Sequence, residues 1–164
     1  MISQTDITHL NRCIALAREA LVAGDSPFGS ILVSSNGTIL KEERNRIITT
    51  NDVTAHPELR LVQWAQKTLS PAERAASTVY TSGEHCPMCA TAHAFAGMGR
   101  IVYAASTEQL VQWRGEWGVP LGPVAPLGIR EVVPGLVVEG PVQEVCGRVR
   151  ELHRVKHLGG EIEG

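Results

Sequence analysis

The sequence predicts an α/β protein folded as a three-layer α/β/α sandwich. Three observations lead there. An amphipathic helical repeat opens the chain. A hairpin signal follows, Asn36-Gly37 between two short strand-forming runs. Beyond residue 56, helical and strand patterns alternate. At 164 residues the chain has the size of one domain with a proper core, and 1–164 is read as a single domain ending in a loose tail over 158–164.

Ile7, Leu10, Ile14, Ala17 and Leu21 recur at helical spacing and predict a helix over 5–23, stopped at Gly24. Residues 28–34 and 38–42 read as the hairpin strands. Residues 45–53 read as a loop, and 57–68 as a helix that tolerates Pro57 in its first turn, where the missing N–H has no intrahelical partner. A strand is expected over 77–81, a helix over 87–96, a turn at Gly99, a strand over 100–104 and a helix over 107–117. Residues 118–134 contain Pro120, Pro123, Pro126 and Pro134 with three glycines and are expected to form a surface loop. A last strand over 136–139 and a closing helix over 142–157 complete the reading.

Composition narrows the function classes. The chain is 43% hydrophobic and 20% charged, which is ordinary for a globular protein. Its net charge of -2, with no Lys/Arg stripe, gives no pull toward nucleic acid, so a nucleic-acid partner is not expected. No apolar run is long enough to span a bilayer, and residues 1–10 lack a signal-peptide apolar segment, so a cytoplasmic setting is expected. Cys13 lies on the apolar stripe of the first helix and Cys146 in the last helix; both read as packed core thiols.

The other two cysteines carry the chemistry. Cys86-Pro87-Met88-Cys89 places two sulfurs at i and i+3 at the start of a helix, on one face, where the helix dipole favours thiolate. Thr54-Ala55-His56-Pro57-Glu58 supplies an imidazole and a carboxylate at the start of the preceding helix. In a parallel α/β sheet, successive strands send their following helices off from one sheet edge, so the motifs can meet across 30 residues. His56, Cys86 and Cys89 form the ligand set of an open zinc site, with a fourth position for water. Glu58 is then the proton shuttle, not a ligand. A structural zinc site would need a fourth protein ligand. His93 reads as a packed helix histidine, and His85 either lines a pocket or caps the helix.

These residues resemble the cytidine deaminase superfamily, in its branch of guanine, cytosine and tRNA-adenosine deaminases. The resemblance covers about residues 5–105. It rests on Pro27-Phe28-Gly29 opening the first strand, Asn45 after the second, Asp52 through Glu58 and Thr81 through Ala92. It implies a mixed five-stranded sheet, one Zn²⁺ per subunit, a homodimer or larger oligomer, and a small-molecule substrate held by Asn45 and the backbone N–H groups of Ala55 and Cys86; Phe28 and His85 are further candidate substrate contacts. Without the resemblance, Asn45 reads as an ordinary turn residue. Two positions depart from the family pattern: Pro57 stands where the family has Ala, and His85 where it has Pro. The likeness fades in the last third, where Glu108 and Glu116 are the acids available in place of the family's Gly-Phe-Asp-Asp run. Trp113 reads as a core anchor or contact, Trp117 as that or part of a lid. His153 and His157 read as a solvated or interface face.

The expected function is zinc-dependent hydrolytic deamination of a nucleobase, nucleoside or related aminated heterocycle. A tRNA-specific adenosine deaminase and a non-catalytic zinc-stabilised module are the alternatives.

Overall fold

The computed structural model describes residues 1–162. Helix α1 (Gln4–Val22) begins at a capping box in which the Ser3 hydroxyl accepts from the Asp6 N–H and the Asp6 carboxylate accepts from the Ser3 N–H. Strands β1 (Gly29–Val33) and β2 (Ile39–Arg44) pair antiparallel, and Gly37 turns between them at φ 88°. Helix α3 (Pro57–Thr68) has the predicted bounds, and α5 (Pro87–Phe95), α6 (Thr107–Glu116) and α8 (Gln143–Leu158) fall within one residue of theirs. Strands β3 (Thr78–Gly83), β4 (Arg100–Ala105) and β5 (Val138–Glu139) complete a five-stranded sheet.

Three short helices depart from the sequence reading. Helix α2 (Ile47–Thr50) and α7 (Ile129–Val132) lie in stretches expected to be loops, and α4 (Pro71–Ala76) in a stretch left unassigned. Four to six residues are too few for a hydrophobic period to register. Only α4 carries a sequence mark, the Ser70/Glu73 capping box. At the C-terminus, Ile162 packs against the core, so the expected tail is tethered there; residues 163–164 lie outside the described residues.

The strand order is β2-β1-β3-β4-β5. β1 runs antiparallel to both its neighbours, while β3, β4 and β5 are mutually parallel. β2 and β3 therefore point the same way although β1 separates them. The sheet is mixed, as the resemblance implies, and the two motif-bearing strands are parallel without being neighbours, so α3 after β2 and α5 after β3 start from the same sheet edge, as expected. Two cores flank the sheet. One gathers α1, α8 and Trp113 of α6 around Ile31, Tyr80 and Val102. The other gathers α3, α5 and α7 around Leu32, Val79 and Ile101. This is the predicted three-layer sandwich. Among the described residues, no helix is long and apolar enough to cross a membrane.

Two features hold the site-bearing edge in place. The first is Gly29, against which the backbone of α1 sits directly: a Cβ there would lie 2.4 Å from the Cys13 carbonyl oxygen and 2.6 Å from the Ala17 nitrogen. The second is Asp25, fully buried. One carboxylate oxygen accepts from the N–H groups of Ile48 and Thr49, the other from Arg44 Nη1 and the Thr49 hydroxyl, all within 2.9 Å. Burial raises the Asp25 pKa, but hydrogen bonds from Thr49, Arg44 and Ile48 outweigh it and hold it below the ordinary carboxylate value.

Gly29→Ala is expected to destabilise the fold by about 3 kcal/mol in chemical denaturation, since the rigid backbone of α1 has to move. Asp25→Asn is expected to cost about 2–3 kcal/mol, because Arg44 loses its buried partner. The folded pKa of Asp25 is lowered, so its contribution is complete above the unfolded value near pH 4 and fades as pH falls through the folded value. The gap between wild type and Asp25→Asn should accordingly be constant at neutral pH and shrink below pH 4, measured as denaturation midpoints.

Candidate active site

His56 is the N-cap of α3 and Cys86 the N-cap of α5. Pro57 and Pro87 each follow the cap, and both caps hold extended backbone, with His56 at φ -79°, ψ 138°. Cys89 lies one turn into α5, fully buried. The two helix starts bring His56 Nδ1 to 3.6 Å from each of the Cys86 and Cys89 sulfurs. The three ligand atoms all lie within 4.8 Å of one another.

The donor set fits a zinc ion. Tetrahedral zinc with bonds of about 2.3 Å to sulfur and about 2.0 Å to nitrogen sets neighbouring donors about 3.5 Å apart, close to the spacing here. Electrostatics points the same way. Hydrogen bonds from Cys89 and His56 lower the Cys86 pKa to about 4 despite its burial. The neighbouring sulfur and burial then push the Cys89 thiol far up. Two sulfurs so close cannot both ionise without a cation, and a divalent ion between them removes the conflict. His56 is shifted upward, first by its hydrogen bond to Cys86.

Glu58 sits in the first turn of α3, 4% exposed. One oxygen lies 3.7 Å from the Cys89 sulfur. The other lies 2.9 Å from the Thr81 hydroxyl and 3.3 Å from the Ser30 hydroxyl. Thr81 Oγ1 is also 2.9 Å from the Gly83 carbonyl, and Ser30 donates to it at 2.9 Å. The single Thr81 proton serves Glu58 or Gly83, so Glu58 is oriented without being saturated. Burial raises its pKa above the ordinary glutamate value.

The remaining expected site residues divide. Asn45 is buried after β2, and its Oδ1 accepts from the Ile47 N–H, starting α2. Phe28 is half-buried, and its ring lies against Gly83, where a Cβ would fall 2.8 Å from the ring. Ala55 is buried, but its N–H donates to the Asp52 carbonyl at 3.0 Å, which corrects the expectation of an open donor there. His85 is buried with both ring nitrogens unpartnered and its ring edge-on to His93, so it caps no helix. His93 bonds the Gly99 carbonyl at 2.7 Å through Nε2 and is the packed helix residue expected, not a fourth ligand.

The C-terminal expectations change more. Glu108 and Glu116 are exposed, and Glu116 pairs with Arg150 at 2.7 Å. Trp113 is buried in the core as expected; Trp117 is half-buried beneath the Arg150 guanidinium. His153 is buried edge-on to Phe28, not solvated, because α8 packs onto the sheet through this face. Cys146 is only half-buried, at the core margin. A cleft of about 770 Å³ lined by Glu84, Glu108, Gln109 and Arg130 contains none of the donor group or Glu58.

Sequence reasoning missed Ser30, Thr81 and Asp25. A signal existed for the first: Ser30 is a polar residue in an otherwise apolar five-residue strand. Asp25 carried none, because its partners lie 19 and more residues away.

Comparison with known proteins places these features. Residues 5–123 match the family model described as MafB19-like deaminase. A probable cytosine deaminase of Schizosaccharomyces pombe is 34% identical over 111 residues, 68% of this chain and 67% of that protein. A tRNA-specific adenosine deaminase of Agrobacterium fabrum is 35% identical over 89 residues, 54% of this chain and 58% of that protein. The X-ray structure of guanine deaminase from Bacillus subtilis superposes with a TM-score of 0.58 at 33% identity, covering 68% of this chain and 69% of that one. The chain therefore spans about two thirds of the length of these relatives, or less.

The donor spacing predicts about one zinc per chain by elemental analysis of protein purified without chelator. Cys86→Ser and His56→Ala should each lower that content several-fold, and chelation should lower the melting temperature of wild type but not of either variant.

Proposed function

We propose, from the premise that the chain belongs to the MafB19-like deaminase family, that it is a zinc-dependent hydrolase. It removes the amine from a free nucleobase, nucleoside or related aminated heterocycle and releases ammonia. The observation that carries this reading is Glu58, a buried carboxylate beside the His56, Cys86 and Cys89 group and not part of it. A purely structural metal site has no use for such a residue.

In this reading His56, Cys86 and Cys89 hold the zinc. When bound, the metal supplies the Lewis acidity that makes water a usable nucleophile near neutral pH. Glu58 accepts a proton from the water and delivers it to a ring nitrogen. With the C–O bond formed, Glu58 takes the second water-derived proton from the added hydroxyl and gives it to the amine as the C–N bond breaks, so one water is consumed, a carbonyl forms and one ammonia leaves. The upward pKa shift of Glu58 suits a group that must both take and return a proton. Ser30 and Thr81 hold its other oxygen. Asn45 orients the ring, with Asp25 fixing the loop that follows it, and Phe28 walls the ring face. His85, buried edge-on to His93, stands directly before Cys86 as a further candidate substrate contact. The active form is a homodimer, a reading supported by Phe95, 89% exposed on α5 and available to a second copy. A cytoplasmic setting is supported by four free cysteines.

A second reading, deamination of a flipped adenosine in tRNA, is supported by the Agrobacterium relative. It calls for tRNA binding that weakens steeply with salt, which the net charge of -2 does not favour. The non-catalytic alternative leaves Glu58 without a task.

Glu58→Gln should keep its zinc and its melting temperature within a few degrees while ammonia release falls by about a thousandfold or more. The measurement is ammonia release across cytosine, guanine, adenosine, guanosine and tRNA. Undiminished turnover in the variant would remove the proton-shuttle assignment, and turnover confined to tRNA would establish the second reading.

A further inference from the structure

Two buried nitrogen atoms without hydrogen-bond partners lie on α6 and α8, the helices that follow and close the sheet on the side of α1. They are His153 Nε2 on α8 and Arg114 Nε on α6. Phe28 links them to the metal-donor edge: its ring lies against Gly83, three residues before Cys86, and edge-on to His153 at 4.9 Å. His157, one turn beyond His153, stacks on it at 6.5 Å and meets the Trp117 ring at 6.3 Å.

This cluster has donors and positive charge but no acid. Arg114 forms no ion pair among the described residues. Glu116, the acid nearest to it in sequence, is taken by Arg150 at 2.7 Å and by the Gln112 amide at 2.9 Å. A guanidinium never gives up its charge, and its planar fork suits a carboxylate or phosphate. Burial, His157 and Arg114 together push the His153 pKa down to about 3, so its imidazole is neutral and adds no second positive charge, and in the tautomer protonated at Nε2 it offers that N–H to an acceptor. Buried polar groups left unpaired are rare, because each forfeits its hydration without replacement. Two in one electrostatically coupled cluster, one of them on the uncompensated cation itself and the other against the Phe28 ring, describe a site built for an acceptor that arrives with the ligand.

We propose that Arg114, His153 and His157 recognise an anionic group on the substrate, at the edge remote from the amine being removed. The substrate class is then an aminated heterocycle bearing a carboxylate on its ring or a phosphate on an attached sugar. The amine half of this statement rests on the deaminase reading; the anion half does not.

The test uses matched pairs that differ by the anion: cytosine and 5-carboxycytosine, cytidine and its 5′-monophosphate, guanosine and its 5′-monophosphate. Affinities are measured by calorimetry on the zinc-loaded Glu58→Gln protein, and ammonia release on wild type. In at least one pair the anionic member should bind about tenfold tighter or better, the size expected of one charge-assisted hydrogen bond. A preference in the first pair identifies a ring carboxylate, and in the others a sugar phosphate. Adding Arg114→Gln should abolish the preference and leave the neutral member within about twofold, while Arg114→Lys should retain part of it. His157→Gln, on a half-buried position, should reduce it too and serves should Arg114→Gln not fold. Equal binding within every pair, or a preference that survives both Arg114→Gln and His157→Gln, overturns the proposal. A preference without ammonia release from any compound keeps the anion site and removes deamination. Ammonia release without a preference does the reverse.

Discussion

Two sulfur atoms and an imidazole nitrogen within 4.8 Å of one another, with a carboxylate 3.7 Å from one of the sulfurs, set the terms for the rest of this molecule. The cysteine thiols compete for a single negative charge, and Glu58 is pushed toward its neutral form by burial. Such a group is costly to assemble unless a cation shares it. The fold bears that cost by rigid means. Both ligand-bearing helices begin at one sheet edge, each cap is held extended before a proline, and the positive ends of both helix dipoles face the sulfurs.

The loops around this centre are fastened by the buried carboxylates of Asp25 and Asp6 and the half-buried one of Glu84. Asp25 gathers three donors from the segment that follows Asn45 and a fourth from Arg44 at the end of β2. Glu84, directly after β3, accepts from the Thr107 N–H with one oxygen and from the Ile129 N–H with the other, tying the starts of α6 and α7 to the same edge. Asp6 joins α1 to β3 and β4 through the Tyr80 hydroxyl and Arg100. Each acid has its acceptor capacity used, which is the condition under which a buried charge organises a structure instead of weakening it. Arg114 Nε and His153 Nε2 stand out against this economy, as do both ring nitrogens of His85 and Nδ1 of His93.

The metal-donor group was legible in the sequence because its parts are local. Cys86 and Cys89 are one helical turn apart, and His56 and Glu58 share a helix start, so spacing alone determines which face each side chain takes. The resemblance to deaminases rests on the same short stretches, and the match over residues 5–123 extends it to most of the chain. The second layer of the site was not legible. Ser30 and Thr81 reach Glu58 from strands 28 and 23 residues away in sequence, and nothing in a Ser or a Thr announces such a partner. His153 looked like a surface residue, since an i, i+4 histidine pair on a polar helix has the pattern of an exposed face. It is buried because α8 returns across the whole chain to pack on α1 and β4.

The sequence by itself determined the long helices, the hairpin, the layer order and the chemistry of the first ring of ligands. These follow from periodicities and spacings within single elements, with the two ligand motifs 30 residues apart brought together by the strand–helix alternation. Only the tertiary structure decided that β1 lies between β2 and β3, that Asp25 anchors the loop after Asn45, that the Ala55 N–H is already occupied, and that His153 packs edge-on to Phe28. These are contacts between segments far apart in the chain. Their energies depend on which groups exclude water from one another, a property that exists only after the layers have closed.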